Sequence, residues 1–253
     1  TVYGLAADAT NIEAVQKVYA IKNRPITHPL IVHIAELNDL YPLVKSLPKP
    51  LEAILSTVWP GPLTVVLTKS DRIDPVVTGG QNTVAIRLPS HPLARAVIRG
   101  LGKPVVAPSA NPFGKVSPTT ALHVAESFPD LWVLDGGRCE VGIESTLIDA
   151  SSAPEKAFIL RHGVLTAEDL NAACGVDYVQ EDPIRNSKIR APGVLKSHYC
   201  PNKPLFIFKN EAEKQAILAQ FKNNASILEL PDSPQAYAYQ LYFQLRLADA
   251  SSQ

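Results

Sequence analysis

Apolar and polar positions along the chain fall into stretches of different period, and each period predicts an element. After Asn11, a residue suited to capping a helix, Ile12, Val15, Val18 and Tyr19 recur at helical spacing. Pro25 stops that run, because the residue before a proline avoids the α region, so the helix is expected to close by Arg24. An unbroken apolar run over 30–34, carrying His33, reads as a buried strand. Further strands are predicted over 64–67, 83–88, 105–107, 132–134, 146–148 and 158–160. Helices are predicted over 35–45, 49–57, 91–100, 118–127 and 165–172. Short apolar runs alternating with helical patterns indicate an α/β domain, and both crossover and hairpin connections fit, which allows a mixed sheet. Over 83–88 the alternation is strict: Val84, Ile86 and Leu88 face one side, Thr83, Ala85 and Arg87 the other.

From 180 to 204 the periodicity fades. Pro183, Pro192, Gly193, Pro201 and Pro204 punctuate a polar stretch that reads as a linker. After it come a predicted strand over 205–208, a helix over 211–223, a strand over 226–230 and a final helix. Ser233 caps that helix, Pro234 takes its first position, and Tyr237, Leu241, Leu245 and Ala248 are expected on its apolar face. Strand–helix–strand–helix is half of a small Rossmann-like unit. The predicted organisation is an α/β domain over 1–179, a linker over 180–204 and a partial C-terminal domain over 205–253.

Charge changes the picture little, since 24 basic residues balance 24 acidic ones. With no field over the whole surface, any nucleotide contact must come from a local basic pocket. No run of eighteen apolar residues occurs, so no membrane span is expected. Cys139, Cys174 and Cys200 are odd in number and lie far apart, which argues against a disulfide framework or a zinc site and for a reducing cytoplasm. The chain has no methionine and opens on Thr-Val-Tyr-Gly, which reads as a strand entering a turn; further residues are expected before Thr1.

Candidate chemistry is scattered. Lys22 and Arg24 sit where a helix ends, and two cations at that spacing suit a triphosphate, although a solvated helix end complementing its dipole looks the same. Ser109-Ala110-Asn111 follows the strand over 105–107, where ligands gather at strand ends, or else forms an ordinary turn. Arg87, on a strand, needs an acid partner or awaits a carboxylate or phosphate, and His33 raises the same question. Asp135-Gly136-Gly137 and Gly142-Ile143-Glu144-Ser145-Thr146 bring small residues and hydroxyls to strand ends. No Walker A loop, GxGxxG, HExxH or GxSxG motif is present, which leaves metal hydrolysis and serine-triad chemistry unsupported.

Taken in order, these segments carry a resemblance. Thr-Val-Tyr-Gly-Leu (1–5), Lys-Asn-Arg-Pro (22–25), Trp-Pro-Gly-Pro-Leu-Thr (59–64), Thr-Val-Ala-Ile-Arg (83–87), Ala-Pro-Ser-Ala-Asn-Pro-Phe-Gly (107–114), Gly-Ile-Glu-Ser-Thr (142–146) and Leu-Arg-His-Gly (160–163) resemble the YrdC-like threonylcarbamoyl-AMP synthase family across residues 1–170. His198-Tyr199-Cys200-Pro201 and the helix over 237–249 look like its longer, two-domain members. The resemblance implies a twisted mixed α/β sheet with a concave basic cavity, and a nucleotidyltransferase. Its substrates would be L-threonine, bicarbonate and ATP, with magnesium on the pyrophosphate that leaves. The product would pass to downstream tRNA threonylcarbamoyl-transfer proteins.

By resemblance, Lys22, Arg24, Ser109 and Asn111 would be catalytic and would bind ATP together with His28, Thr83, Ser117, Arg161 and Tyr199. Thr1, His33, Arg87 and Ser145 would hold threonine, and no residue set would hold a metal of the protein's own. The competing expectation is an RNA-binding module of the same fold, with weak RNA contact and no synthesis.

Overall fold

The structure, a computed structural model, describes residues 1–181, 189–193, 198–221 and 225–251. Pro183, with the rest of 182–188, the linker positions 194–197 and the predicted helix end at 222–223 lie outside the described residues. In chain order the elements are β1 (Ala7–Asp8), α1 (Ile12–Lys22), β2 (Ile31–His33), α2 (Lys49–Val58), β3 (Leu63–Thr68), α3 (Pro75–Thr78), β4 (Thr83–Arg87) and α4 (Pro92–Leu101). They continue with β5 (Val105–Val106), α5 (Ala121–Ser127), β6 (Thr146–Ala153), β7 (Lys156–Arg161), α6 (Ala167–Cys174), β8 (Val179–Glu181), α7 (Glu211–Gln220) and α8 (Pro234–Ala250).

Local chemistry sets the ends of α1. The Asn11 side chain accepts from the Ala14 N–H, and Asn23 closes the helix in the left-handed region (φ 52°), its N–H reaching back to Ala20 and Tyr19. Asn tolerates that conformation at little cost, and it ends the helix between Lys22 and Arg24.

One mixed sheet of eight strands organises the body, in the order β1-β5-β2-β4-β3-β6-β7-β8. β2/β4, β3/β6 and β7/β8 run parallel; the remaining pairs run antiparallel. Its two faces are unlike. Val32, Val65, Val84, Ile86, Val106 and Ile148 belong to the main core, which also holds Val15 and Val18 of α1, Leu51 and Leu55 of α2, Val77 of α3 and Leu170 of α6. Each such side chain contributes about 1.5–3 kcal/mol on burial. A one-residue slip of β4 would turn Arg87 into that core, so the register is firmly specified. The opposite face carries His33 and Arg87, directly paired across β2 and β4, and a small apolar cluster of Ile31, Val66, Ala85 and Leu147 under Ala191 of the linker.

Several expectations need correction. Residues 35–45 form two short 3₁₀ turns, Leu37–Asp39 and Tyr41–Leu43, because the Asp39 carboxylate captures the Ala35 and Glu36 N–H groups and Pro42 offers no donor. Residues 132–134 make no strand. Trp132 is fully exposed, and the backbone just beyond is tied instead to Tyr3 and His91. Among the described residues no strand follows β8, so 205–208 and 226–230 belong to no sheet. The face α8 buries is Ala238, Tyr242 and Leu245, while Tyr237 is exposed, since the helix docks on the body and not on a sheet of its own.

Candidate functional site

A cavity of about 600 Å³ opens over the sheet face that the helices of the main core leave free. It lies across this face and not, as strand-end reasoning predicts, only beyond the carboxyl ends of strands, because Ile31, His33, Arg87, Val105 and Ala107 all line it. Of the predicted site residues, Thr1, Lys22, Arg24, His33, Arg87, Ser109, Asn111, Ser145, Arg161 and Tyr199 share this one cavity. His28, Thr83 and Ser117 do not line it. His28 stands edge-on to Phe113, and Ser117 is fully buried behind the wall. Thr83 starts β4, at the end of the strand away from Arg87.

Lys22 does something the sequence does not suggest. Only 2% exposed, its ammonium donates to the backbone carbonyls of Ser109 and Asn111 and so clamps the 109–111 loop to α1. Burial, with the Arg24 charge adding to it, pushes its pKa down to about 7. Arg24 donates to the His28 and Pro29 carbonyls at 3.2 and 2.8 Å, and its guanidinium lies 5.3 Å from the Phe113 ring centre. Asn111 uses its amide N–H₂ on the Pro112 and Lys115 carbonyls, both at 2.8 Å, which leaves Oδ1 buried with no hydrogen-bond partner. The linker's His198 Nδ1 is orphaned in the same way. Buried polar atoms without partners cost stability unless a bound group satisfies them.

At the other end of the cavity Arg87 donates to the Gly61 carbonyl (3.1 Å) and the Thr1 hydroxyl (2.8 Å). Burial, then the Arg161 charge, lowers it to about 10, so it stays a cation. His33 is held by the Ile31 carbonyl at 3.2 Å and pushed down to about 3 by burial and by Arg87, so its ring is neutral. Ser145 Oγ meets Thr64 Oγ1 at 2.6 Å, and Arg161 donates to the Ser145 carbonyl (2.9 Å), the Ser145 hydroxyl (3.2 Å) and Pro192 (3.0 Å). Tyr199 sits at φ 58° over Gly193, where any Cβ would meet its hydroxyl at 2.1 Å. Among the described residues Arg24, Arg87 and Arg161 make no ion pair with any carboxylate. Arg24 and Arg87 are buried and Arg161 is half-buried; guanidiniums withdrawn from water without counter-ions are suited to meet anions.

Sequence reasoning missed two participants. Glu144, in the Gly-Ile-Glu-Ser-Thr segment, lines the cavity, and Tyr242 of α8 bonds to it. A lone acid next to Ser145 was the available signal for Glu144; nothing in the order of residues announces Tyr242.

A family model for Sua5, YciO and YrdC proteins, described as telomere recombination, matches residues 1–163. A second, described as the C-terminal domain of threonylcarbamoyl-AMP synthase, matches residues 165–253. The chain belongs to the Sua5/YciO/YrdC family. A threonylcarbamoyl-AMP synthase of Bacillus subtilis is 43% identical over 224 residues, covering 87% of this chain and 64% of that protein. One from Pyrococcus abyssi is 38% identical over 231 residues, covering 88% of this chain and 67% of that protein. The chain thus spans about two thirds of the length of these relatives. The crystal structure of P. abyssi Sua5 complexed with L-threonine matches with a TM-score of 0.86 at 34% identity, over 100% of this chain and 80% of that one. This family member keeps the mixed α/β sheet that the alternating pattern predicts. Its three cysteines are free, and among the described residues no helix is long and apolar enough to cross a membrane.

Proposed function

We propose that this chain joins L-threonine, bicarbonate and ATP into threonylcarbamoyl-adenylate and pyrophosphate, as an ATP-using nucleotidyltransferase serving tRNA modification. The observation that carries the reading is the set of three guanidiniums, buried Arg24 and Arg87 and half-buried Arg161, lining one cavity with no carboxylate paired to them among the described residues. Relatives named threonylcarbamoyl-AMP synthase and a family structure holding L-threonine support it.

In this reading Arg24 meets the triphosphate, Lys22 shapes the 109–111 loop and adds its charge, and Ser109 and the orphaned Asn111 Oδ1 complete the contact. Arg161 adds a cation beside the nucleotide. Arg87 takes the threonine carboxylate, with neutral His33, Thr1 and Ser145 as polar neighbours. The threonine amine attacks bicarbonate, releasing water and giving a carbamate. A carbamate oxygen then attacks the α-phosphorus, and the bond to pyrophosphate breaks. Positioning and charge stabilisation drive such a displacement, with no enzyme nucleophile. Tyr199 over the cavity shields the labile product from water. His28, Thr83 and Ser117, outside the cavity wall, would act on ATP only at a remove.

Among the described residues no group of three or more His, Cys, Asp or Glu side chains could hold a metal. A magnesium ion would therefore ride on the phosphate oxygens and waters, as this cation commonly does, and not in a protein cage. Transfer of the threonylcarbamoyl group to tRNA by downstream proteins, a weak RNA contact and a cytoplasmic location belong to the same proposal. So does the division at 1–179, 180–204 and 205–253.

Pyrophosphate release assayed with and without threonine tests the reading. Arg24→Ala is expected to lower threonine-dependent release more than about a hundredfold, with unchanged circular dichroism. Near-parental turnover in that variant would remove Arg24 from the site.

A further inference from the structure

Glu144 has no role in the reading above, yet both of its carboxylate oxygens are held. Oε1 accepts from Ser117 Oγ at 2.5 Å and Oε2 from the Tyr242 hydroxyl at 2.6 Å. No cation pairs with it among the described residues, although it lines the same cavity as Lys22 and Arg161 and its charge is felt at Lys22. A carboxylate set near cations that have no counter-ion is drawn to them. Two hydroxyl donors satisfy the charge without neutralising it, and such charge-assisted bonds are strong.

Tyr242 is itself fixed from several directions. Its ring stacks on Tyr199 at 5.6 Å and 28°. The helix bearing it approaches so closely that a Cβ on Gly142 would lie 2.5 Å from the Ala238 carbonyl. Arg138 lies 3.9 Å from the Tyr239 ring centre and 4.1 Å from that of Phe243. Arg246 donates to the Val116, Ser117 and His123 carbonyls.

We propose that Tyr242 is a positioning residue. Its hydroxyl, with that of Ser117, holds the Glu144 carboxylate off Lys22 and Arg161, which keeps the positive charge of these carbonyl-bound cations uncompensated for an anionic ligand and fixes the 142–146 loop that carries Ser145. The C-terminal helix thereby sets the nucleotide affinity of a site to which it contributes no direct contact. The ligand part of this inference rests on the synthase reading; the loop part does not.

Two measurements on the full chain separate the cases. By calorimetry, Tyr242→Phe is expected to weaken ATP binding about tenfold, the size of one lost charge-assisted hydrogen bond, because the freed carboxylate competes for the cations. Adding Glu144→Gln should then restore ATP affinity to within about twofold of the parent, since the competing charge is gone. A purely structural role of Tyr242 would lower the melting temperature and would not be rescued by that second change. Parental ATP affinity in Tyr242→Phe, or no rescue in the double variant, would overturn the proposal. The second measurement is amide hydrogen exchange over 142–146 without ligand, expected to quicken in Tyr242→Phe; an unchanged rate would also overturn it. A parent chain with no threonine-dependent pyrophosphate release and no ATP binding would sink the synthase reading instead, and exchange over 142–146 would still decide for or against Tyr242.

Discussion

The two helices of the tail follow one linker and meet opposite environments. α8 buries Ala238, Tyr242 and Leu245 against Val116, with Val2, Ile143 and Tyr199 packed around them. α7 buries no residue, and Leu205, Phe206, Ile207 and Phe208 just before it are all exposed. Neither helix has a sharply one-sided apolar pattern, so propensity and periodicity do not distinguish them. What distinguishes them is a partner. The body offers α8 a glycine for close approach, an arginine to enclose between rings and a carboxylate to bond; among the described residues it offers α7 nothing comparable. Most helical stability comes from such docking.

The comparison breaks most directly at Gly142. Its φ of 84° is costly for an L side chain, and any Cβ would also meet Tyr239 Cα at 2.7 Å. Gly142→Ala is expected to destabilise the protein by about 3 kcal/mol in urea denaturation and to lower pyrophosphate release. A change under about 0.5 kcal/mol would mean that α8 does not pack there.

Acid should act next, and selectively. Burial holds His123 and His198 down at about 4, helped by Arg246 and Arg24 respectively, and His33 at about 3. Below about pH 6.5 the unfolded chain takes up protons that the folded one refuses, so the unfolded state binds more. Their contribution to stability is complete above that value and is lost as pH falls toward 4. Because His123 lies beneath Arg246 and Phe243 of α8, amide protection relative to the intrinsic exchange rate at each pH should fall in α8 between pH 6.5 and 4.5 while that of α7 changes little. Equal changes in both helices would blur the distinction. The smallest effect is expected at Ile207, which is 84% exposed. Ile207→Ser should shift stability by less than about 0.5 kcal/mol and leave pyrophosphate release unchanged.

Much of the body was legible because its signals are local. Asn11, Pro25 and the run from Ile12 to Tyr19 bound α1 correctly, and the strict alternation over 83–88 placed Arg87 opposite the core. Elsewhere an apolar run lacked its partner. Residues 132–134 carry strand-like side chains, but among the described residues no neighbouring strand accepts them, and 205–208 joins no sheet for the same reason. The grouping of the candidate site was largely legible: ten predicted residues share one cavity, while His28, Thr83 and Ser117 stand outside its wall. Lys22 was expected among the triphosphate cations, but its clamp on the Ser109 and Asn111 carbonyls needs two segments 87 and 89 residues apart to meet.

By itself, then, the sequence determined the periods, the caps and the chemistry of each side chain, since these depend on near neighbours in the chain. Only the tertiary structure decided which groups meet. The Glu144–Tyr242 bond joins positions 98 residues apart, and no local pattern encodes a contact of that span. The same holds for the enclosure of Arg138 and for the choice of α8 over α7. Each depends on the shape of a surface that exists only once the sheet has formed.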